Sequence, residues 1–214
     1  MSIIKTSVKP LFGFPVYHSN IDKNKYDKKK ILKPILDNFK ESKIRDNWGD
    51  GIRESRIHHS YNDYDNDEFK KPDYSSLIPI YREEIQKYFN SMPTKPLNFK
   101  FEIVNYTCMT QGYYMSSHIH TNCDFSAVHY LKFKGEPTVF RNTNAYSKFL
   151  SIVYPKIAKS LLTDWLENSW AFEHCKIDTK EDDLVIFPAM LEHAVPEIKS
   201  GGTRVTVVFN INIL

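Results

Sequence analysis

The chain is short of the residues that would mark an extracellular, membrane or nucleic-acid protein. Its 214 residues include three cysteines, Cys108, Cys123 and Cys175. That odd number, without Cys-x-x-Cys spacing, spells out neither a disulfide framework nor a zinc ribbon. No stretch reaches the eighteen or so consecutive apolar residues of a membrane span, and Met1-Ser2-Ile3-Ile4-Lys5 lacks the apolar core of a secretory leader. The expected setting is a reducing cytoplasm, and richness in Lys, Asn and Tyr fits an AT-rich bacterial or phage genome. A dominant charge is missing too: 29 basic against 26 acidic residues leave a net +3, too little to make nucleic acid an expected partner. The densest basic run, residues 23–33, reads as a solvated helix face. With only seven glycines the chain is neither fibrous nor linker-like, and a homodimer is compatible with this composition.

What is plentiful is aromatic: 13 tyrosines and 14 phenylalanines, a load that suits half-buried pleated surfaces. Ile31, Leu32, Ile35, Leu36 and Phe39 recur at helical spacing between Tyr26 and Phe39 despite Pro34, and predict an amphipathic helix. A second helix is predicted from Ser75 or Ser76, as cap, through Leu77, Ile78, Tyr81, Ile85, Tyr88 and Phe89. The polar stretch from Glu41 to Asp73 has no sustained period and reads as loops with short strands. From Leu97 to Tyr106 the period changes to two, with Leu97, Phe99, Phe101 and Ile103 on one face. Further strands are predicted at Ser126–Phe133, Thr138–Arg141, Leu184–Phe187 and Arg204–Ile213. Helices gathered at the N-terminal end and strands after them argue for a mainly β, α+β fold with a jelly-roll (double-stranded β-helix) core. The expected arrangement is one domain: helical and irregular support over about 20–95 and a core over about 97–214. A helical insertion over about 146–170, a packed decoration or a lid, would interrupt the core.

The chemistry concentrates in two segments. In Gly112-Tyr-Tyr-Met-Ser-Ser-His118-Ile-His120-Thr-Asn-Cys-Asp124, residues two apart in an extended chain face the same way, so His118 and His120 can aim at one metal ion, and Asp124 can join after a turn. In Leu184-Val-Ile-Phe-Pro188-Ala-Met-Leu-Glu-His193, a buried strand ends at a proline turn that presents a single histidine, the third ligand. Such a set leaves coordination positions open, as oxidative iron chemistry requires. Eleven residues after His193 comes Arg204, whose guanidinium can clasp a carboxylate, with Thr206 facing the same way. Tyr130, Tyr106 and Asn105 lie on strands that can face the same cavity, as binding or as core residues. His18, His58, His59, His129 and His174 are assigned no role.

These residues resemble the 2-oxoglutarate and Fe(II)-dependent oxygenases related to prolyl 4-hydroxylases. Pro10-Leu-Phe-Gly-Phe-Pro-Val16 is similar to the family's Leu-Phe-x-x-Pro-Val opening. HIHTNCDFSAVHYL resembles its His-x-His-Pro-x-Ser-x-x-Ser-Gly-Val-x-Tyr signature, with Thr121 for proline and Ala127 for glycine. FPAMLEHAVPEIKSGGTRVTVVFNINI resembles its Phe-Pro-x4-His-x-Val-x-Pro, Arg-x-Ser/Thr and closing Phe-Asn strand. The resemblance implies His118 and His193 as Fe(II) ligands, His120 or Asp124 as the third, and Arg204 with Thr206 as the anchor of 2-oxoglutarate. Tyr130 and Asn105 become candidates for its pocket. It also implies hydroxylation of a C–H bond of a protein side chain or small molecule, with release of succinate and carbon dioxide. Two rivals remain at this point. Gly112-x5-His118-x-His120-x3-Asp124 and Pro188-x-Met190-x2-His193 also echo the two cupin motifs, which would keep the metal without 2-oxoglutarate, and a metal-free jelly-roll could serve as a binding module.

Overall fold

The computed structural model describes residues 7–11, 14–63, 69–92, 95–143 and 174–214, and the helical insertion expected at about 146–170 lies outside them. The chain opens with an antiparallel hairpin, β1 (Ser7–Leu11) and β2 (Phe14–Asn20). Helix α1 (Lys28–Glu41) follows, begun by the Asp27 carboxylate, which accepts the Lys30 N–H at 3.2 Å, and it buries Ile31, Ile35 and Asn38. Helix α2 (Ile78–Asn90) starts later than its sequence predicts. Leu77 occupies the cap position without a side-chain bond, Pro79 sits in the first turn, and the Ser76 hydroxyl accepts the Asp27 N–H instead. Proline's fixed φ suits a first turn, and its missing N–H leaves the cap one donor fewer to satisfy.

The other elements are β3 (Asp46–Asn47), β4 (Arg56–His59), β5 (Phe99–Thr110), β6 (Met115–His118), β7 (Phe125–Lys132), β8 (Val139–Arg141), β9 (His174–Lys176), β10 (Asp183–Pro188), β11 (His193–Val195) and β12 (Thr203–Ile213). They form an eight-stranded sheet in the order β1-β2-β10-β7-β12-β5-β4-β3 and a four-stranded sheet in the order β6-β11-β8-β9. This is the expected jelly-roll.

Alternation along the central strands divides the interior in two. Val205, Val207, Phe209 and Ile211 of β12, with Leu184 and Ile186 of β10, pack under the helices against Ile31, Ile35, Leu77, Tyr81, Ile85 and Tyr88. Arg204, Thr206, Val208 and Asn210 point the other way, into the space between the sheets. On β5 the phase changes in mid-strand: Val208 pairs with Asn105 but Phe209 pairs with Ile103, so Val104 is an extra residue. A bulge of this kind moves every later side chain to the opposite face. Phe99, Phe101 and Ile103 therefore pack beneath the helices, as does Tyr106 beyond the bulge. Asn105, Thr107 and Met109 line the cavity.

Phe209 is fully buried and stacks on Tyr81 with ring centroids 4.3 Å apart, joining α2 to the sheet. Phe209→Ala should cost about 3–5 kcal/mol in equilibrium urea unfolding, and a loss below ~1 kcal/mol would show that this contact does not anchor the helix.

Candidate metal centre

His118 closes β6 and His193 opens β11, and the two are direct cross-strand partners. The expectation that His118 and His120 share one strand is not met. The next strand, β7, belongs to the other sheet, so the chain has already left the ladder at residue 119. His120 sits in the crossing loop, held by its N–H to the Ala189 carbonyl at 2.9 Å. The crossing still brings the three imidazoles together, with a ligand nitrogen from each within 4.8 Å of the others. His193 is likewise not a turn residue, because the turn after β10 ends before it and β11 begins on it.

Two of the rings are held in a defined tautomer. The Nδ1 of His118 lies 2.9 Å from the Ser116 carbonyl, and the Nδ1 of His193 lies 2.9 Å from the Leu191 carbonyl. A carbonyl can only accept, so Nδ1 carries the proton in each and Nε2 presents its lone pair. Burial disfavours the imidazolium form: it lowers His118, and with help from the neighbouring histidines it takes His120 to about 4 and His193 to about 3. Three neutral imidazoles with converging nitrogens make a donor set that suits a first-row transition metal ion such as iron. Asp124, the alternative to His120, is exposed, and its Oδ2 accepts the Ile213 N–H at 2.8 Å. It lies outside the histidine group.

The histidines line a cavity of about 300 Å³ between the sheets, shared with Arg204, Thr206 and Asn105. Arg204 is 2% exposed. It donates to the Glu136 carbonyl at 2.9 Å and the Thr138 hydroxyl at 3.2 Å, and lies over the Tyr130 ring, 4.9 Å from its centroid. Among the described residues no carboxylate pairs with it. A buried cation without a counter-ion is costly, and burial pulls its pKa below the usual arginine value. Thr206 shares a 2.6 Å hydroxyl contact with Thr107, and the Asn105 amide donates to the Tyr61 hydroxyl at 2.7 Å. Tyr130 lies beneath Arg204 with its hydroxyl 2.8 Å from that of Thr138, a support of the arginine more than a wall of the cavity. Tyr106 leaves the site altogether. Carried to the helix side by the Val104 bulge, its hydroxyl donates to Asp63 and accepts from Asn38.

The unpatterned stretch before residue 73 supplies a wall that sequence reasoning missed. His59 stacks between Trp48 and Tyr61, with centroids 5.3 Å and 5.5 Å away, and Trp48 meets the His118 ring at 5.1 Å. All three line the cavity, as do Thr107, Thr138 and Asn210. The one usable signal was the His58-His59 pair in a short strand candidate, since one of two adjacent strand residues must face inward.

Residues 105–210, which carry every one of these groups except the Trp48–His59–Tyr61 wall, match the family model described as "Putative 2OG-Fe(II) oxygenase". The chain carries a 2-oxoglutarate/Fe(II) oxygenase domain. Solved structures with the same fold include AviO1 from Streptomyces viridochromogenes Tue57 (12% identity over 92% of this chain and 89% of that one, TM-score 0.53). Another is a Trichoplax adhaerens prolyl hydroxylase in complex with a hypoxia inducible factor peptide fragment (13%, 94% and 83%, TM-score 0.50). The α-ketoglutarate-dependent epimerase SnoN from nogalamycin biosynthesis is a third (8%, 91% and 76%, TM-score 0.50). At these identities the likeness is one of fold. No curated protein matches the sequence. Oxygenases of this family use Fe(II) and 2-oxoglutarate, so the cupin and metal-free readings give way.

The buried histidines of the oxygenase give its metal-free form a definite pH dependence. His193 and the fully buried His129 have folded-state pKa values of about 3, far below the ordinary 6.5, so the unfolded chain binds protons that the fold excludes. Their contribution is fully present above pH 6.5 and is lost as pH falls toward 3, at roughly 1.4 kcal/mol per pH unit for each. Urea unfolding of metal-free protein should show stability dropping between pH 6.5 and 4. A flat profile would mean that these rings are not held neutral.

Proposed function

We propose that this oxygenase hydroxylates a C–H bond of a protein side chain or small molecule, coupled to decarboxylation of 2-oxoglutarate to succinate and carbon dioxide. His118, His120 and His193 hold Fe(II), and Arg204 with Thr206 takes the distal carboxylate of 2-oxoglutarate. One observation carries this reading: a buried guanidinium with no carboxylate partner among the described residues lines the same cavity as three converging imidazoles. The counter-ion that Arg204 lacks among the described residues is what a dicarboxylate brings, and a guanidinium meets it with paired, charge-assisted hydrogen bonds.

The remaining residues prepare that encounter. The Glu136 carbonyl, the Thr138 hydroxyl and the Tyr130 ring fix the guanidinium before the ligand arrives, so little ordering is left to oppose binding. Thr107 orients the Thr206 hydroxyl. The Ser116 and Leu191 carbonyls hold the Nε2 lone pairs of His118 and His193 toward the common centre. Met109, Met115, Val195 and Val208 line the cavity between these polar groups and restrict water there. Bound iron and 2-oxoglutarate supply the oxidising chemistry, and the protein's share is orientation and exclusion. At about 300 Å³ the cavity is at the small end of ligand pockets, a size that suits a small dicarboxylate such as 2-oxoglutarate.

Anaerobic protein with Fe(II) should develop the weak visible charge-transfer band of chelated 2-oxoglutarate. Arg204→Ala should weaken 2-oxoglutarate binding by about 30-fold or more, and His193→Ala should abolish the band together with succinate formation. Unchanged 2-oxoglutarate affinity in Arg204→Ala, or succinate production by folded His193→Ala, would contradict the assignment.

A further inference from the structure

The three histidines are not equally prepared to bind a metal. His118 and His193 face each other across a strand pair, each with Nδ1 tied to a backbone carbonyl and Nε2 therefore committed as donor. His120 has neither advantage. It lies beyond the end of β6, its backbone alone is tied down, through Ala189, and among the described residues neither ring nitrogen has a hydrogen-bond partner. Its ring stacks on that of His193, with the planes 3° from parallel and the centroids 5.2 Å apart, a contact that does not select a tautomer. A ligand whose ring is oriented from outside gives up little freedom on binding, whereas one that is not must be ordered by the metal itself. Charge works in the same direction. Three neutral imidazoles leave a divalent ion its full charge, in a pocket where the cationic Arg204 has no anionic partner among the described residues.

We propose that His120 is a displaceable ligand, and that the coordination position it gives up takes a small monoanion or the carboxylate of a bound molecule. The centre then alternates between three imidazoles and two imidazoles with one anion. This rests on the metal-site reading given under Proposed function. It adds to that reading a ranking of the ligands and the chemical class of the competitor.

The test uses Co(II), whose visible spectrum reports coordination without turnover, on the whole 214-residue chain. Wild type is compared with alanine variants of His118, His120 and His193, and with His118→Gln and His193→Gln should an alanine variant fail to fold. His120→Ala should keep Co(II) within about tenfold of wild type, while loss of either tied histidine should cost about 100-fold or more. Azide or acetate should change the spectrum of His120→Ala at concentrations at least about tenfold below those needed by wild type, as expected when a vacated position is filled rather than contested. His120→Asp, which brings its own anion, should not respond. Equal loss of Co(II) across the three positions, or a His120→Ala spectrum indifferent to both anions, would overturn the proposal. Wild type that binds no metal would instead bring down the metal-site reading, whereas wild type that binds Co(II) and 2-oxoglutarate with three equivalent histidines would remove the ranking alone.

Discussion

The site depends on one short piece of antiparallel pairing, in which His118 and His193 sit opposite each other. The strands that meet there have four and three residues, too few to hold register by themselves, and the surroundings supply the rest. The Trp48 carbonyl takes the Ser116 N–H at 2.9 Å, and the Glu192 carbonyl takes the Arg141 N–H at 2.8 Å. The Glu192 carboxylate accepts the Ser117 hydroxyl at 2.5 Å and the Arg141 guanidinium at 3.0 Å. Glu192 thus ties together the neighbours of both histidines and the adjacent strand β8. A slip of one residue in this register would turn one imidazole out of the cavity.

The larger sheet supplies the other half of the site by alternation. Val205, Val207, Phe209 and Ile211 of β12 go under the helices, and Arg204, Thr206 and Val208 go inward. The same division on β5 survives only because of the bulge at Val104. Without it Asn105, Thr107 and Met109 would lie in the helix-packed core, and Tyr106 would stand in the cavity. The bulge therefore places polar and apolar residues correctly at both ends of a twelve-residue strand, which unbroken alternation could not do here.

Much of this was legible in the sequence because it follows a simple period. His118, Arg204 and Thr206 could be placed from strand alternation, His193 only from its order along the chain, and the helical faces of α1 and α2 from three-and-four spacing. What was lost involved a break in period or a contact between distant segments. Tyr106 was left open between cavity and core, and the core reading holds because one inserted residue, which leaves no mark in composition, inverts the face. His120 was expected on a strand that ends two residues earlier, since the chain crosses there to the other sheet. Trp48, His59 and Tyr61 come from a stretch without periodicity, and only tertiary stacking makes them a wall. The serine cap of α2 yielded to Pro79, a local preference that outweighs a hydroxyl. The likeness of HIHTNCDFSAVHYL and FPAMLEHAVPEIKSGGTRVTVVFNINI to family signatures carried further than periodicity alone, and both segments fall largely within residues 105–210, the stretch that the family model matches.

The central claim is that three histidines from two strands and a crossing loop hold a single ion in the cavity that Arg204 also lines. Anomalous diffraction at the manganese edge, from crystals grown anaerobically with Mn(II) and 2-oxoglutarate, tests it most directly. The account predicts one peak at bonding distance from His118, His120 and His193, with the distal carboxylate of 2-oxoglutarate on Arg204. A peak coordinated by Asp124, or an ion elsewhere with Arg204 left without a carboxylate, would contradict it.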